Sequence, residues 1–471
     1  MVRRTGNAHP LSILATSTGG ALLLAAVVVT SCPHFDPVSS PLPQSWGLPR
    51  DIDKSLGQLK ELGLPSAVDR LDWLPAALEK LDAAGTRIKS LRGLPPSLLE
   101  LDVSFTELTS IAGVPEGLAS LDLRGTRVAH LAHLPASLKT LGVSGSHIHS
   151  LGQLPSSLGS LWLEQTEIHD LSALPAHLTA LKLSGPSFDN LDGLPQALTS
   201  LALWGTKVKS LRKLPRSIQN LELVANTDLR IAAEDLPPLL TRLTIDEQST
   251  PDLTGLKYLD WLSDRSSKPS GKWPLSLSSL TVRASNLEEL PPFPPSLRAL
   301  GLLHTALSPF AKLPPEIEDL SLIDYRGPQI EGLPRGLKRL NLSFSSNLKT
   351  VPELPRDLEE LDLTGTTVTD LRGLPPTIRR LVFRGFPLRE LRGLADQLPN
   401  LETLDVSESP RLEVIDALPT RLLTLNVSRT GITSLPQLPP CLHALALSEV
   451  VSLEHLPKEL RALRFVSRAA P

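Results

Sequence analysis

Leucine recurs along most of the chain with a period of 20 residues. Residues 94–213 form six consecutive units that read L-P-x-x-L-x-x-L-x-L-x-x-T-x-L-x-x-L-x-x, with a few conservative departures. The alternating centre of each unit, Leu101 and Val103 in the first, predicts a short half-buried strand, because successive side chains of a strand point to opposite faces. One such unit cannot bury its apolar positions alone. The fixed period therefore predicts a solenoid of stacked coils.

Proline is the second residue of every unit, and it constrains the backbone on the side of the coil opposite the strand. Proline fixes φ and donates no backbone hydrogen bond, so we expect short extended segments or single turns there and no long helix. The 44 prolines of the chain thus mark the boundaries between repeats and do not indicate disorder. The pattern predicts an α/β-type solenoid: a leucine-rich-repeat horseshoe with a parallel concave β-sheet and a mostly irregular, Pro-rich convex side with little helix.

A column of small hydroxyl residues follows the strand centre, at position 13 of the unit. Position 13 in the six units is Thr106, Thr126, Ser146, Thr166, Pro186 and Thr206, so the fifth unit alone lacks the hydroxyl. Buried backbone groups at the turn that leaves a strand need hydrogen-bond partners, and a hydroxyl can supply one. We interpret the column as structural and not as a row of nucleophiles.

The L-P-x-x-L-x-x-L-x-L unit resembles the short, 20-residue leucine-rich-repeat class of secreted bacterial effectors. The resemblance extends over roughly residues 64–466. It implies a bacterial origin and a recognition scaffold, although a scaffold does not fix a function. Two features depart from the class: Thr stands where Asn is usual, and the ubiquitin-ligase domain that follows the repeats in some of these effectors is missing.

The first 50 residues carry a different pattern. Arg3 and Arg4 precede an uncharged apolar run that ends in V-T-S-C at Cys32, and this end resembles the bacterial lipobox. Residues 1–32 therefore fit a lipoprotein-like signal peptide with lipid attached at Cys32, an uncleaved membrane anchor or ordinary signal peptide, or a leader for needle-type secretion. Leaders of that last kind are usually polar, so the apolar run argues against it. Residues 33–50, rich in Pro and Ser, predict an extended tether.

The register of the repeats divides the remaining chain into three segments. We expect an N-terminal cap and first coil over 51–80, the solenoid over 81–466 and a short tail over 467–471. The register breaks at about 257–273, where the Leu-x-Leu strand is missing at the expected place and Ser, Lys, Gly and Pro predict an irregular insertion. A binding loop and a decayed repeat are both open for that insertion. About 19 strands, at roughly 4.8 Å each, predict a sheet of some 90 Å along its arc.

Composition and motifs reduce the number of function classes that we expect for the chain. The net charge is −3, with 47 basic and 50 acidic residues mixed along the chain, so bulk charge does not indicate nucleic acid. Catalytic motifs and metal-ligand spacings are missing, so we expect no enzyme, metal, cofactor or small-molecule substrate. The second cysteine, Cys441, stands where other units carry Ser, and we interpret it as a small turn residue.

Side chains that flank the Leu-x-Leu centre should line the concave face. Trp162 and Trp204 are expected there, and Trp is over-represented at binding hot spots, although packing on neighbouring side chains is the alternative. Later strands should present an apolar centre with an arginine rim, which suits a protein-binding surface. The expected apolar residues are Leu303, Ile323 and Val382, and the expected rim is Arg283, Arg339, Arg380 and Arg384.

These patterns predict a non-catalytic, monomeric protein-recognition scaffold. The first hypothesis places it at the bacterial envelope, tethered to a membrane through its N-terminus, with a protein partner bound on the concave face. The alternative is a virulence effector that is secreted into a host cell and binds a host protein with the same face.

Overall fold

The structure is a computed structural model of the chain. The residues it describes are 60–64, 68–168, 170–246, 250–266, 272–283, 292–306, 313–327, 329–385, 387, 389–448, 457, 460 and 462–466, the last five as backbone alone. The predicted signal peptide with Cys32, the tether and the tail lie outside the described residues.

One parallel sheet carries the fold, with 21 strands among the described residues. Its strands are β1 (Glu61–Gly63), β2 (Lys80–Asp82), β3 (Glu100–Asp102), β4 (Ser120–Asp122), β5 (Thr140–Gly142), β6 (Ser160–Glu164), β7 (Ala180–Ser184), β8 (Ser200–Trp204), β9 (Asn220–Val224), β10 (Arg242–Asp246), β11 (Trp261–Asp264), β12 (Ser279–Arg283), β13 (Ala299–Leu303), β14 (Asp319–Ile323), β15 (Arg339–Asn341), β16 (Glu360–Asp362), β17 (Arg380–Val382), β19 (Thr403–Asp405), β21 (Thr424–Asn426), β22 (Ala444–Ser448) and β23 (Ala462–Val466).

Regular structure outside this sheet is sparse in the described chain. Strands β18 (Glu390–Leu391) and β20 (Val414–Ile415) form a separate parallel pair. The helix α1 (Leu394–Gln397) and the single 3₁₀ turn Ala233–Asp235 complete the described elements. The predicted leucine-rich-repeat solenoid, with a parallel sheet and little helix, is confirmed.

The leucines stack in register from coil to coil. Leu101 pairs with Leu121, which pairs with Leu141 and then Leu161, and each of these side chains is at most 2% exposed. Burying one such leucine contributes roughly 1.5–3 kcal/mol. One continuous apolar core therefore runs the length of the solenoid.

Most of the hydroxyl column is structural, as predicted, although Thr166 Oγ1 is buried without a hydrogen-bond partner and Thr206 Oγ1 donates to Asn226 Oδ1. Thr126 Oγ1 donates a hydrogen bond of 2.7 Å to the carbonyl of Leu123, and the side chain is 1% exposed. The same bond to the carbonyl three residues back recurs at Thr86, Thr106, Ser146, Thr366 and Thr430. One coil has the usual asparagine instead, and Asn226 Nδ2 donates to the carbonyl of Leu203.

Most of the three-residue strands end in a turn that the side chain of their middle concave residue makes. Asp102 Oδ1 accepts a hydrogen bond of 2.8 Å from the backbone N–H of Ser104, and Asn426 does the same for Ser428. Such Asx turns divert the backbone from sheet pairing, and β3 and β21 end after three residues. The described strands with this turn are β2, β3, β4, β15, β16, β19 and β21. Strand β6, with Trp162 at the same position, runs for five.

The expectation that the 257–273 segment lacks a strand is wrong. Strand β11 lies within it and pairs in parallel with β10 and β12. Leu262 fills the first leucine slot, whereas Asp264, aligned with Val282, fills the second. The buried Asp264 Oδ1 accepts hydrogen bonds from the N–H and hydroxyl of Ser266. These bonds satisfy Oδ1, whereas the buried Oδ2 has no hydrogen-bond partner. The aspartate in place of a leucine explains why the pattern did not predict the strand.

The sheet returns on itself. Cα atoms of β23 lie within 8 Å of Cα atoms of β1. Neighbouring strands are about 4.8 Å apart and next neighbours almost 10 Å, so no strand fits between them. The solenoid is thus a ring, and 21 strands give a sheet diameter of at least about 30 Å.

We expect Thr126→Val to lower the free energy of unfolding by about 1 kcal/mol, because it removes a buried hydrogen bond to the carbonyl of Leu123 while keeping the side-chain shape. Chemical denaturation of both proteins measures the difference. The exposed Thr109 provides the matched control, and Thr109→Val should change stability by less than about 0.5 kcal/mol. Equal effects of the two substitutions would contradict a structural role for the column.

Candidate protein-binding face

The concave face of the ring is built from three rows of side chains. In a five-residue strand the first, third and fifth residues point away from the core, as Ser160, Trp162 and Glu164 do in β6. We call these positions the first, middle and last rows. Parallel register keeps each row continuous from strand to strand, so neighbours within a row are about one strand spacing apart.

The middle row is acidic at one end of the described sheet. Asp82, Asp102 and Asp122 occupy it on β2, β3 and β4. Burial raises the pKa of Asp122, and the neighbouring Asp102 adds to the shift, while hydrogen bonds and charge from Arg124 oppose it. Each carboxylate already caps the backbone of its own strand. These acids are therefore primarily structural.

The two tryptophans predicted as a pair lie on the concave face but in different rows. Trp162 is in the middle row, and its ring lies so close to Gly142 on β5 that a Cβ at that glycine would approach Cε3 of the ring to 2.9 Å. Trp204 is in the last row of β8, where the Lys182 ammonium sits 3.5 Å from the ring centroid. Both side chains are half-buried. They form two separate contacts and not one aromatic surface.

A charged cluster surrounds Trp204. Lys182 Nζ is 2.5 Å from Glu164 Oε1. Burial raises the pKa of Glu222, although Lys182, the Trp204 indole and Arg265 all oppose the shift. A half-buried indole among opposed charges is held in one orientation, which is favourable for recognition because less side-chain entropy is lost on binding.

The last row continues from Trp204 as a mixed apolar and charged line. Its members, on six strands and directly after β11, are Trp204, Val224, Asp246, Arg265, Arg283, Leu303 and Ile323. We call this line the β8–β14 row. All seven side chains are half-buried. Predicted residues Arg283, Leu303 and Ile323 are therefore cross-strand neighbours in the structure.

The other three predicted arginines each lie near a carboxylate on a neighbouring strand. Arg339 Nε lies 2.5 Å from Asp319 Oδ1, and Arg384 Nη2 lies 2.8 Å from Asp405 Oδ2. Arg380 Nε lies 4.0 Å from Glu360. These contacts join neighbouring strands across the face. The close ion pairs of Arg339 and Arg384 remove these two from an open cationic rim, whereas Arg380 is as loosely paired as Arg283.

Val382 corrects the predicted apolar centre. The side chain is only 6% exposed, although it flanks the leucine centre of β17. Its cross-strand partners are Asp362 and Asp405, and these flanking residues leave little of the valine accessible. Val382 is thus neither open to solvent nor adjacent to Leu303 and Ile323, which lie on β13 and β14.

Pattern reading missed Arg265, Val224 and Trp261 on the concave face. Arg265 and Trp261 were not predicted on this face because strand β11 was not predicted. Part of the signal is in the sequence: Trp-Leu-Ser-Asp at 261–264 retains the first leucine, although Leu262 lies 19 residues after Leu243 and 18 before Leu280 instead of 20. Val224 is at the same position as Trp204 in the next unit, so extending the row by one strand would have found it.

Cys441 has the role expected of a small turn residue. Its thiol lies 3.1 Å from the carbonyl of Thr420 and 3.5 Å from that of Leu422. Ser97 donates to the two corresponding carbonyls of the preceding coil. The thiol therefore bridges coils as the serine hydroxyls do.

Within the described part of the chain, no group of three or more His, Cys, Asp or Glu side chains is arranged to hold a metal ion. No helix there has the length and apolar character needed to cross a membrane.

Comparisons with known proteins show similarity to other leucine-rich-repeat chains. No family model matches the sequence. A probable disease resistance protein of Arabidopsis thaliana, At4g19520, is 33% identical over 184 residues, which are 36% of this chain and 10% of that protein. The chain thus spans a small part of that relative's length.

Solved structures with a similar fold include bacterial leucine-rich-repeat proteins. YopM from Yersinia enterocolitica WA-314 is 27% identical, covers 86% of each chain and has a TM-score of 0.36. TLR13 in its complex with ssRNA13 is 18% identical over 85% of this chain and 74% of its own, with a TM-score of 0.48.

Proposed function

We propose that this protein is a recognition scaffold that binds a protein partner on the concave face, centred on strands β6 to β14. The observation that supports this most is the β8–β14 row. It places half-buried Trp204, Val224, Leu303 and Ile323 on a face where most strands present Ser, Thr, Asp or paired charges. Apolar patches interrupted by arginine are typical of protein interfaces.

The closed sheet suits such a partner in size. A diameter of at least about 30 Å between opposite strands leaves room for a helix of about 10–12 Å or for an extended segment. A partner inside the ring can contact several rows together. The binding energy would then come from a few buried anchors, with the ion-paired remainder of the face supplying shape.

The location of the protein is proposed from the N-terminal sequence. The apolar run that ends at Cys32 supports a lipid-anchored or membrane-associated protein of the bacterial envelope, with 33–50 as its tether. A secreted virulence effector that binds a host protein is the second candidate, and the repeat resemblance favours it. Either location makes use of the same concave face.

Trp162→Ala combined with Trp204→Ala should reduce partner capture by about tenfold or more, because indoles at interfaces are frequent binding anchors. Affinity capture from cell extract by the full chain, with quantitative mass spectrometry, measures the recovered partner. Tyr258→Ala is the control, since Tyr258 is 61% exposed but lies before β11, off the concave rows. Capture that survives the double substitution would remove the tryptophans from the binding site.

Metabolic labelling with a fatty-acid analogue should label the native chain and leave Cys32→Ser unlabelled, because only the thiol of Cys32 can accept the acyl group at the lipobox-like sequence. In-gel detection after expression in a bacterium provides the measurement, with Cys441→Ser as the matched control that keeps its label. An unlabelled native chain would exclude the lipoprotein and favour the effector.

A further inference from the structure

We propose that the β8–β14 row is a docking groove for an extended peptide segment with acidic side chains at its centre and apolar side chains on both flanks. This inference rests on the proposed function and specifies the partner's chemistry. It is carried by three observations: two adjacent arginines that make no hydrogen bond to a carboxylate of the described residues, apolar pairs on both sides of them, and a floor of small residues beside the row.

The two arginines are next to each other on neighbouring strands. Asp264 pairs with Val282, so the following residues, Arg265 and Arg283, are cross-strand neighbours in the last row. Like charges opposite one another in a sheet are destabilising. Asp246 and Glu222 offset part of this repulsion, and a bound anion would relieve the remainder.

Both guanidinium groups keep unused hydrogen-bonding capacity. The Nε atoms of Arg265 and Arg283 are buried and have no hydrogen-bond partner. Asp246 approaches Arg283 Nη2 only to 3.8 Å, beyond hydrogen-bond distance. Arg339 in the next sector, by contrast, holds Asp319 at 2.5 Å. A carboxylate placed between Arg265 and Arg283 could accept hydrogen bonds from the Nη groups of both arginines, since the Nε atoms are buried.

Local charge favours a carboxylate over a phosphate. Asp246 is within the row beside Arg265, and Glu222 is near enough to Arg265 for the arginine to lower its pKa against the opposing effect of burial. These two acids offset much of the charge of the two arginines. A phosphate with nearly two negative charges would be repelled more strongly than a carboxylate, so we assign the site to acidic side chains.

Apolar side chains flank the arginines on both sides along the row. Trp204 and Val224 precede them, and Leu303 and Ile323 follow them, all half-buried. Their exposed fractions present apolar surface to a ligand while their bases are fixed by neighbours. Burial of that surface is the part of binding that does not depend on salt.

The middle row beside the arginines consists of small side chains. From β10 to β14 it consists of Thr244, Ser263, Thr281, Gly301 and Ser321. A Cβ at Gly301 would come within 2.7 Å of Thr281 Oγ1, so the packing itself requires the smallest residue. Small side chains beside a line of long ones form a shallow groove that runs across the strands.

The dimensions define the ligand. Seven strands span six intervals of about 4.8 Å, or roughly 29 Å, which matches about nine residues of extended peptide at about 3.3 Å each. The arginines lie about 14 Å from the first apolar pair and about 10 Å from the second. An acidic pair should thus be about four residues from one apolar anchor and three from the other.

Synthetic nine-residue peptides test the groove with the full-length protein. The first peptide has Phe at one end, Leu at the other, Glu-Glu between them at the stated spacing, and Ser and Gly elsewhere; its reversed sequence covers the other direction. Companion peptides replace Glu-Glu with Gln-Gln, replace one Glu with phosphoserine, or replace Phe and Leu with Ala. Fluorescence anisotropy measures Kd at low and at moderate salt.

We expect saturable binding of the Glu-Glu peptide in one direction, weakened at least tenfold by Gln-Gln and at least fivefold by the Ala flanks. Arg265→Ala and Arg283→Ala should each weaken it at least tenfold, and Arg283→Lys by less. Arg339→Ala should leave Kd within twofold, since Arg339 already pairs with Asp319. Unchanged thermal unfolding would show that the variants remain folded.

Equal binding of the Glu-Glu and Gln-Gln peptides, no binding of either, or insensitivity to both arginine substitutions would overturn the groove. Tighter binding of the phosphoserine peptide would replace the carboxylate assignment with a phosphopeptide. The proposed function fails separately. If the peptides do not bind while partner capture still depends on the tryptophans, the scaffold stands and only the groove is lost.

Discussion

Every leucine slot of this protein depends on a coil on each side of it. A single 20-residue unit has too little apolar surface to offset the entropy of ordering it, and its leucines become buried only through stacking. The in-register pairs from Leu101 to Leu161 are the direct expression of this requirement. Thr126 and the hydrogen bonds between coils at Ser97 and Cys441 also stabilise the stack, because they give backbone carbonyls a hydrogen-bond partner.

A solenoid normally meets the requirement at its two ends with dedicated capping structure. Here β23 lies beside β1, so the first and last coils cover each other. Open edges of a sheet invite pairing with other chains, and closure protects these two. Closure also makes the concave face the inner wall of a ring, so a ligand there meets side chains from several directions.

Sequence periodicity predicted much of this fold and only part of the candidate site. The Leu-x-Leu centres indicated the strands, and the Thr column indicated its own structural role, because both are fixed within one unit. Strand β11 was missed because Asp264 replaces a leucine and depends on Ser266 for its hydrogen bonds. Closure could not be predicted, since it depends on a rotation of about 17° per coil accumulated over the whole sheet.

The site residues divide in the same way. Alternation correctly placed Leu303 and Ile323 beside Arg283, because one rule governs neighbouring strands. It could not show that Arg339 and Arg384 have close acidic partners or that Val382 is covered. Those outcomes depend on side chains of adjacent coils, which the period of a single unit does not encode.

The distance between the two ends of the sheet tests the closed solenoid most directly. Spin labels at Lys60→Cys and His443→Cys, in a chain with Cys32→Ser and Cys441→Ser, would be two strands apart across the junction of β1 and β23. Electron–electron double resonance should give less than about 25 Å for this pair. A pair at Lys60→Cys and Ser278→Cys, half the ring apart, should give a longer distance, on the order of 30 Å or more. An end-to-end distance longer than the half-ring distance would contradict closure.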